Sequence, residues 1–147
     1  MVGTRKDPYR GYRFLVEIDG IVQAGFSEAA VPDSTTDAVD YREGSDEFTR
    51  KLLGQTKHGN ISLKWGITDS LELYEKWYKL VQQGKTSSAR KKMAIILMNE
   101  EGTASARWEF DNAWPIKYKA PDLSAKGSDV AIETLEIVHE GMKRVKV

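Results

Sequence analysis

Apolar and polar side chains alternate with a period of two along several stretches of this chain, and nothing else in the sequence constrains its fold as strongly. Tyr12, Phe14, Val16 and Ile18 alternate with Arg13, Leu15 and Glu17. Successive side chains of a strand point to opposite sides, so this is the pattern of a half-buried strand. Ile61, Leu63 and Trp65 alternate with Ser62 and Lys64, and Ala106, Trp108 and Phe110 with Arg107, Glu109 and Asp111. Trp114, Ile116 and Tyr118 alternate with Lys117 and Lys119. Pro115 inside that last run marks an edge or a bulge, because proline brings no N–H to a ladder.

Punctuation between these runs sets the connections. Asp19-Gly20 precedes the run Ile21 to Phe26 and predicts a hairpin with a tight turn. Met93 to Met98 is apolar on both faces and predicts a central strand, after which Asn99 to Gly102 turns the chain. Val130 to His139 is rich in β-branched residues, but its phase slips between Ile132 and Leu135. A bulge restoring alternation at Leu135, Ile137 and His139 fits this, and so does a short helix.

One segment has helical period. Leu73, Tyr74, Trp77, Leu80 and Val81 form an i, i+3, i+4 stripe. Asp69 with Glu72 has the spacing of a capping box, and Gly84 supplies the stop. Ala29 to Asp37 and Glu43 to Gly59 show no clear period. The second is long, charged and glycine-punctuated, and predicts a loop that is functional or ordered by a partner. The fold class is therefore mostly β, an antiparallel arrangement with one amphipathic α-helix packed against a sheet or barrel end, in a single domain over residues 1–147.

Composition removes function classes without naming one. Lys plus Arg number 22 and Asp plus Glu number 22, so the formal net charge is zero. Nucleic-acid binding relies on clustered excess cations, and this balance argues against it. The runs Arg50-Lys51 and Arg90-Lys91-Lys92 are short, and the second fits a charged gatekeeper before an apolar strand. The chain has no cysteine, which excludes disulfides, thiolate metal sites and a cysteine nucleophile. Met1 to Arg10 lacks the apolar core of a secretory signal, and Met93 to Met98 is far too short to span a membrane.

The search for catalytic chemistry is equally negative. His139-Glu140 begins like a zinc-binding helix motif, but Lys143 stands where the second histidine belongs. His58 is distant in sequence and reads as a loop residue. Carboxylate pairs occur at Glu100-Glu101 and Glu136/Glu140, but a hydrolase needs acids held apart across a cleft. Glu100-Glu101 precedes Gly102 in a turn, where carboxylates are simply solvated. No phosphate-binding glycine loop and no nucleophile elbow is present.

A set of segments carries a resemblance. Asp7-Pro8-Tyr9-Arg10-Gly11-Tyr12-Arg13-Phe14 leads to Val16-Glu17-Ile18-Asp19-Gly20 and Gly25-Phe26-Ser27-Glu28. Tyr41-Arg42-Glu43-Gly44 follows, then Arg50-Lys51-Leu52-Leu53-Gly54-Gln55-Thr56-Lys57-His58-Gly59-Asn60-Ile61. Gly66-Ile67-Thr68-Asp69-Ser70 opens the helix through Trp77, and Arg107-Trp108-Glu109-Phe110-Asp111-Asn112-Ala113-Trp114-Pro115 precedes the run from Gly127 to Gly141. In this order they resemble the contractile phage tail-tube family, which includes the inner-tube proteins of extracellular contractile injection systems. Two departures stand out. Ala29-Ala30-Val31-Pro32 occupies the place of the family's small Ser-Gly turn, and Trp65 replaces what is often a basic residue.

The resemblance implies two packed antiparallel sheets forming a small β-barrel with one flanking α-helix, an architecture similar to the type VI secretion tube protein. It also implies a structural role without cofactor or catalysis: six-membered rings, stacked into a hollow tube inside a contractile sheath. The implied partners are further copies of the chain, the sheath protein, baseplate or hub and tube-terminating proteins, and luminal cargo, either DNA or protein effectors. Such a protein is made in the bacterial cytoplasm and becomes part of a phage tail or extracellular injection particle. Sheet edges and the Glu43 to Gly59 loop are then the expected assembly surfaces. The residues expected at the stacking contact are Tyr41, Arg42, Glu43, Phe48, Arg50, Lys51, Leu52, Leu53 and Lys57, with Arg50, Lys51 and Lys57 pairing to acids of the next ring. The rival readings are a monomeric ligand-binding β-barrel of lipocalin type, which requires an apolar lumen, and a small carboxylate hydrolase, which requires a deep cleft.

Overall fold

The computed structural model describes residues 13–19, 21, 25–127 and 130–147. The alternating segments become β1 (Phe14–Ile18), β2 (Phe26–Ala30), β5 (Ile61–Gly66), β7 (Ala104–Lys119) and β8 (Ile132–Val138). Between and after them run β3 (Ser34–Tyr41), β4 (Arg50–His58), β6 (Lys91–Met98) and β9 (Met142–Val145). A π-helical segment, Tyr74–Tyr78, continues into α1 (Lys79–Gln82), and α2 (Thr86–Ala89) follows.

Seven strands form one antiparallel sheet in the order β1-β6-β7-β8-β5-β2, with β9 also on β7. β7 joins the two layers of this sheet. Its first part pairs with β6 and β9, and its second part, from Trp114 to Lys119, pairs with β8. The change of partner falls at Asn112, whose φ is 48°, and at a register shift between Pro115 and Lys117. Asparagine tolerates this left-handed backbone, and a bulge bends the strand, so the chain turns a corner without breaking its ladder.

The turned sheet encloses a filled core. Ile61, Leu63 and Trp65 of β5 meet Leu135 and Ile137 of β8, Met93 and Ile95 of β6, and Phe110 of β7. The helical segment closes this core with Leu73 and Trp77, and the Trp77 indole N–H donates to the Ala89 carbonyl at 2.6 Å. Side chains occupy the interior that a lipocalin-type reading requires as an apolar lumen. Met93 to Ile96 are all buried, as a doubly covered strand demands.

The helix stripe faces inward as its spacing predicts, and its stop forms at Gly84, with φ 71°. The Gly84 N–H donates to the Val81 carbonyl and the Lys85 N–H to that of Leu80, both at 3.0 Å, which is a Schellman pair. Its start departs from expectation. Helical structure begins at residue 72, and the Leu71 carbonyl takes the N–H of Glu75, so Asp69 lies outside the first turn instead of capping it. The π winding was not legible in the sequence. It brings Tyr74 and Tyr78 onto one partner, Tyr118, with ring centroids 5.3 and 6.0 Å away.

Four further expectations are corrected. β1 and β2 are not hairpin partners: β1 pairs with β6 and β2 with β5, although an isolated bridge joins Ile18 to Ile21. Part of that expected hairpin, with Tyr12, lies outside the described residues. In β7 the inward positions after Phe110 are Ala113 and Pro115, while Ile116 is exposed, because the bend resets the phase. β8 contains neither bulge nor helix; it pairs with β5 in unbroken register from Ile132 to Ile137. Its phase looked broken because the inward position before Leu135 is an acid, Glu133. Finally, Glu43 to Gly59 is not a loop, since its second half is β4.

Candidate assembly surface

β3 and β4 form a separate two-stranded arm. Thr35, Thr36, Val39 and Tyr41 give β3 the β-branched and aromatic content of a strand, and every position from Ser34 to Tyr41 is exposed. The register runs from Ser34 opposite His58 to Tyr41 opposite Arg50, shifting once between Thr36 and Ala38. Gly54 sits at that shift. A Cβ there would lie 2.7 Å from the Asp37 carbonyl oxygen, so the close approach of the two strands requires glycine.

Short polar contacts hold the arm together. The Thr36 and Thr56 hydroxyls meet at 2.9 Å across the ladder. Asp46 organises the tip: its carboxylate accepts the Glu43 N–H at 3.0 Å and lies 3.3 Å from Arg50 Nε, while its carbonyl accepts Arg42 Nε–H at 3.1 Å. The Tyr41 hydroxyl donates to Glu43 Oε1 at 2.8 Å, which raises the phenol's pKa above its usual value. Lys51 pairs with Asp40, and Lys57 Nζ lies 3.8 Å from Asp37. The three cations expected to await acids of another ring thus already have partners on the arm itself. Exposed pairs of this kind contribute about 0–1 kcal/mol each, so exchanging partners costs little.

All nine residues expected at a stacking contact fall on this arm: Tyr41, Arg42, Glu43, Phe48, Arg50, Lys51, Leu52, Leu53 and Lys57. Tyr41 and Leu52 share one face with Val39, Leu53 lies on the other, and Phe48 stands at the tip. Leu53 is 93% exposed and Phe48 79% exposed. Val39, Asp37, Asp40 and Asp46 also belong to this surface, and sequence reading missed them. The alternation of Thr35, Val39 and Tyr41 was their signal, interrupted by Asp37 at the bulge.

The body holds two polar arrangements with less to offer an assembly. Glu133 is buried and takes the Trp65 indole N–H at 3.2 Å and the Tyr118 hydroxyl proton. Burial, followed by that hydrogen bond and the nearby carboxylate charge, pushes the Tyr118 pKa up to about 12. The two histidines, far apart in sequence, come together with ring centroids 5.6 Å apart. His139 bonds the Gly59 carbonyl through Nε2 at 3.0 Å and accepts the Gly141 N–H at Nδ1 at 3.1 Å, which fixes its tautomer. Among the described residues no three His, Asp or Glu side chains converge as a metal site, and no helix is long and apolar enough to cross a membrane.

The T4-like virus tail tube protein gp19 family matches residues 10–143. The chain is similar to a protein of the PVC sheath-tube complex of an extracellular contractile injection system in the extended state. The two share 26% identity over 95% of this chain and 93% of that one, with a TM-score of 0.82. A protein of the tube-terminating cap of the anti-feeding prophage shares the fold at 24% identity, over 100% of this chain and 97% of that one, with a TM-score of 0.86. Hcp1 from Flavobacterium johnsoniae shares it more loosely, at 17% identity over 89% and 93% of the two chains and a TM-score of 0.52. No curated protein matches the sequence.

Proposed function

The chain belongs to the T4-like virus tail tube protein family and is a structural tube component of a phage tail or extracellular injection particle; from that premise we propose that it closes into six-membered rings, stacked as the inner tube by the β3–β4 arm. The observation that carries the reading is the family match over residues 10–143, joined to an arm that leaves Phe48, Leu52 and Leu53 in solvent. Large apolar side chains on a projecting two-stranded arm have little use in a solitary molecule. Among the described residues β1, β2 and β9 each pair on one side, so these edges are candidates for lateral contacts between neighbours in a ring. Ring closure consumes such edges, and stacking repeats one modest contact many times along the axis.

The partners follow from this role: a contractile sheath outside the tube, baseplate or hub and terminating proteins at its ends, and DNA or protein effectors in its lumen. Cargo slides past polar walls, and the outward face of β5 and β8 offers such chemistry. There Lys64 Nζ lies 3.7 Å from Glu28, and Asn60 donates to Glu136 at 2.8 Å.

Electron microscopy of the purified chain tests the proposal. Six-fold rings with open centres, alone or stacked, are the expected result. A uniform population of single chains at every concentration, in the presence and absence of sheath protein, overturns it.

A further inference from the structure

The arm meets the body at a pair of histidines. β3 begins at Ser34 opposite His58, the last residue of β4, and β5 begins three residues later at Ile61. His139 follows the end of β8 and packs edge-to-face against Phe110 of the core, with ring centroids 5.1 Å apart. The His58 ring lies against it at 5.6 Å. One ring is carried by the arm and the other by the body. The bonds of His139 join the two parts. Its Nδ1 accepts the Gly141 N–H at 3.1 Å and so carries no proton, and its Nε2–H donates to the Gly59 carbonyl at 3.0 Å. Gly59 donates its own N–H to the Asp33 carbonyl at 2.9 Å, which closes the arm's base.

This chain of contacts requires a neutral imidazole at His139. A second proton goes onto Nδ1, where the Gly141 N–H already points, and two donors then face each other. His58 is as poorly placed for charge. Its Nδ1 is buried without a protein hydrogen-bond partner, and in an imidazolium both nitrogens are donors, so this one becomes a charged donor lacking an acceptor. Two cations at this separation also repel. The charged groups on the surrounding elements are Asp33 before β3, Lys57 of β4, Asp111 of β7, Glu136 of β8, and Glu140 with Arg90 beside it. Lys57 lies 3.8 Å from Asp37, Glu136 accepts from Asn60, and Glu140 accepts from Asn112 and lies 3.7 Å from Arg90. Asp111 Oδ2 stands 4.0 Å from where a Cβ at Gly141 would lie, and Asp33 meets Gly59 through its backbone carbonyl. Among the described residues none of these carboxylates hydrogen-bonds either imidazole.

We propose that His58 and His139 form an acid-sensitive clasp between arm and body, closed while both imidazoles are neutral and released when they take up protons. The sign follows from the bonds. An opened base, with both rings hydrated, accepts protons that the closed base has no room for, so falling pH favours opening. The clasp works within one chain and is independent of the ring and tube reading.

Amide hydrogen exchange of the dilute full-length chain tests it, read residue by residue by NMR and corrected for the intrinsic pH dependence of exchange. Between about pH 8 and about pH 5, the range over which histidine side chains change charge, protection at Gly59 and Gly141 is expected to fall about tenfold, the loss of roughly one buried hydrogen bond. Protection within β5 and β8 is expected to hold over the same range. His58→Phe with His139→Gln keeps a ring on the arm and a donor for Gly59 but nothing that titrates, so its protection is expected to be equal at both pH values. Circular dichroism checks that this chain is folded, and His58→Phe alone, expected to respond less than the wild type, serves if it is not. Unchanged protection at Gly59 and Gly141 in the wild type overturns the clasp. So does a loss shared equally by β5 and β8, or a full acid response in the variants.

Discussion

The seven-stranded body and the two-stranded arm are built from the same kind of strand but stabilised in different ways. In the body, alternate side chains enter a shared interior, and Ile61, Leu63, Phe110, Leu135 and Ile137 are essentially inaccessible to water. Removing apolar surface from water contributes roughly 25 cal/mol per Å², so the body's stability is its own. The arm has backbone pairing, one threonine pair and exposed ion pairs, but no interior. An isolated two-stranded hairpin is marginal in water, and three or more strands or a covering layer are needed for independent stability. The difference teaches that the body carries its own covering layers, whereas the arm has none behind it.

Thermal melting of the single chain separates these regions, and the expected effects fall in a clear order. Phe110→Ala opens a cavity in the body and costs about 3–5 kcal/mol, a large share of a typical domain's stability. A loss below about 1 kcal/mol in a denaturant titration contradicts the core assignment. Glu133→Leu comes next. It strands the buried Trp65 N–H without its acceptor, at about 1–3 kcal/mol, and takes the partner from the part-buried Tyr118 hydroxyl. Glu133→Gln keeps an acceptor and restores part of that loss.

Alkaline titration probes the same site with a smaller effect. The Tyr118 phenol is neutral in folded and unfolded chains at pH 7, so it adds no pH dependence there. An unfolded tyrosine ionises near 10 and Tyr118 at about 12, so stability falls as pH rises between these values. Tyr118→Phe flattens that decline, and ultraviolet absorbance of the variant lacks a late-titrating tyrosine that the wild type shows. An unchanged slope in the variant removes Tyr118 from the account.

The arm is where melting changes least and assembly changes most. Arg50→Glu with Lys51→Glu breaks the contacts to Asp46 and Asp40, exposed pairs of about 0–1 kcal/mol each. The melting temperature moves by a few degrees at most, while tube length by electron microscopy collapses. Tubes of normal length rule out these cations as stacking residues. Joining Asp33 to Gly59 through a short glycine-serine link removes the arm at its hydrogen-bonded base, and the body melts almost as before. A body that unfolds without the arm would erase the distinction drawn between the regions.

Local pattern determined a good deal by itself. The inward phases of β1, β5 and the first part of β7, the doubly covered β6, the turn at Gly102, the helix stripe and its stop at Gly84 follow from side-chain period and backbone sterics, which act over a few residues. The ordered segments were also enough to indicate the family. Tertiary structure alone decided which strand lies beside which, because alternation specifies a face but not a neighbour, and β1 found β6 instead of the nearby β2. It also decided where an acid is buried: Glu133 occupies a core position only because Trp65 and Tyr118, on two other strands, bring their donors to it. The arm shows the same limit. Its strand β4 read as a charged loop because, with no body behind it, the chain had no reason to keep one face apolar.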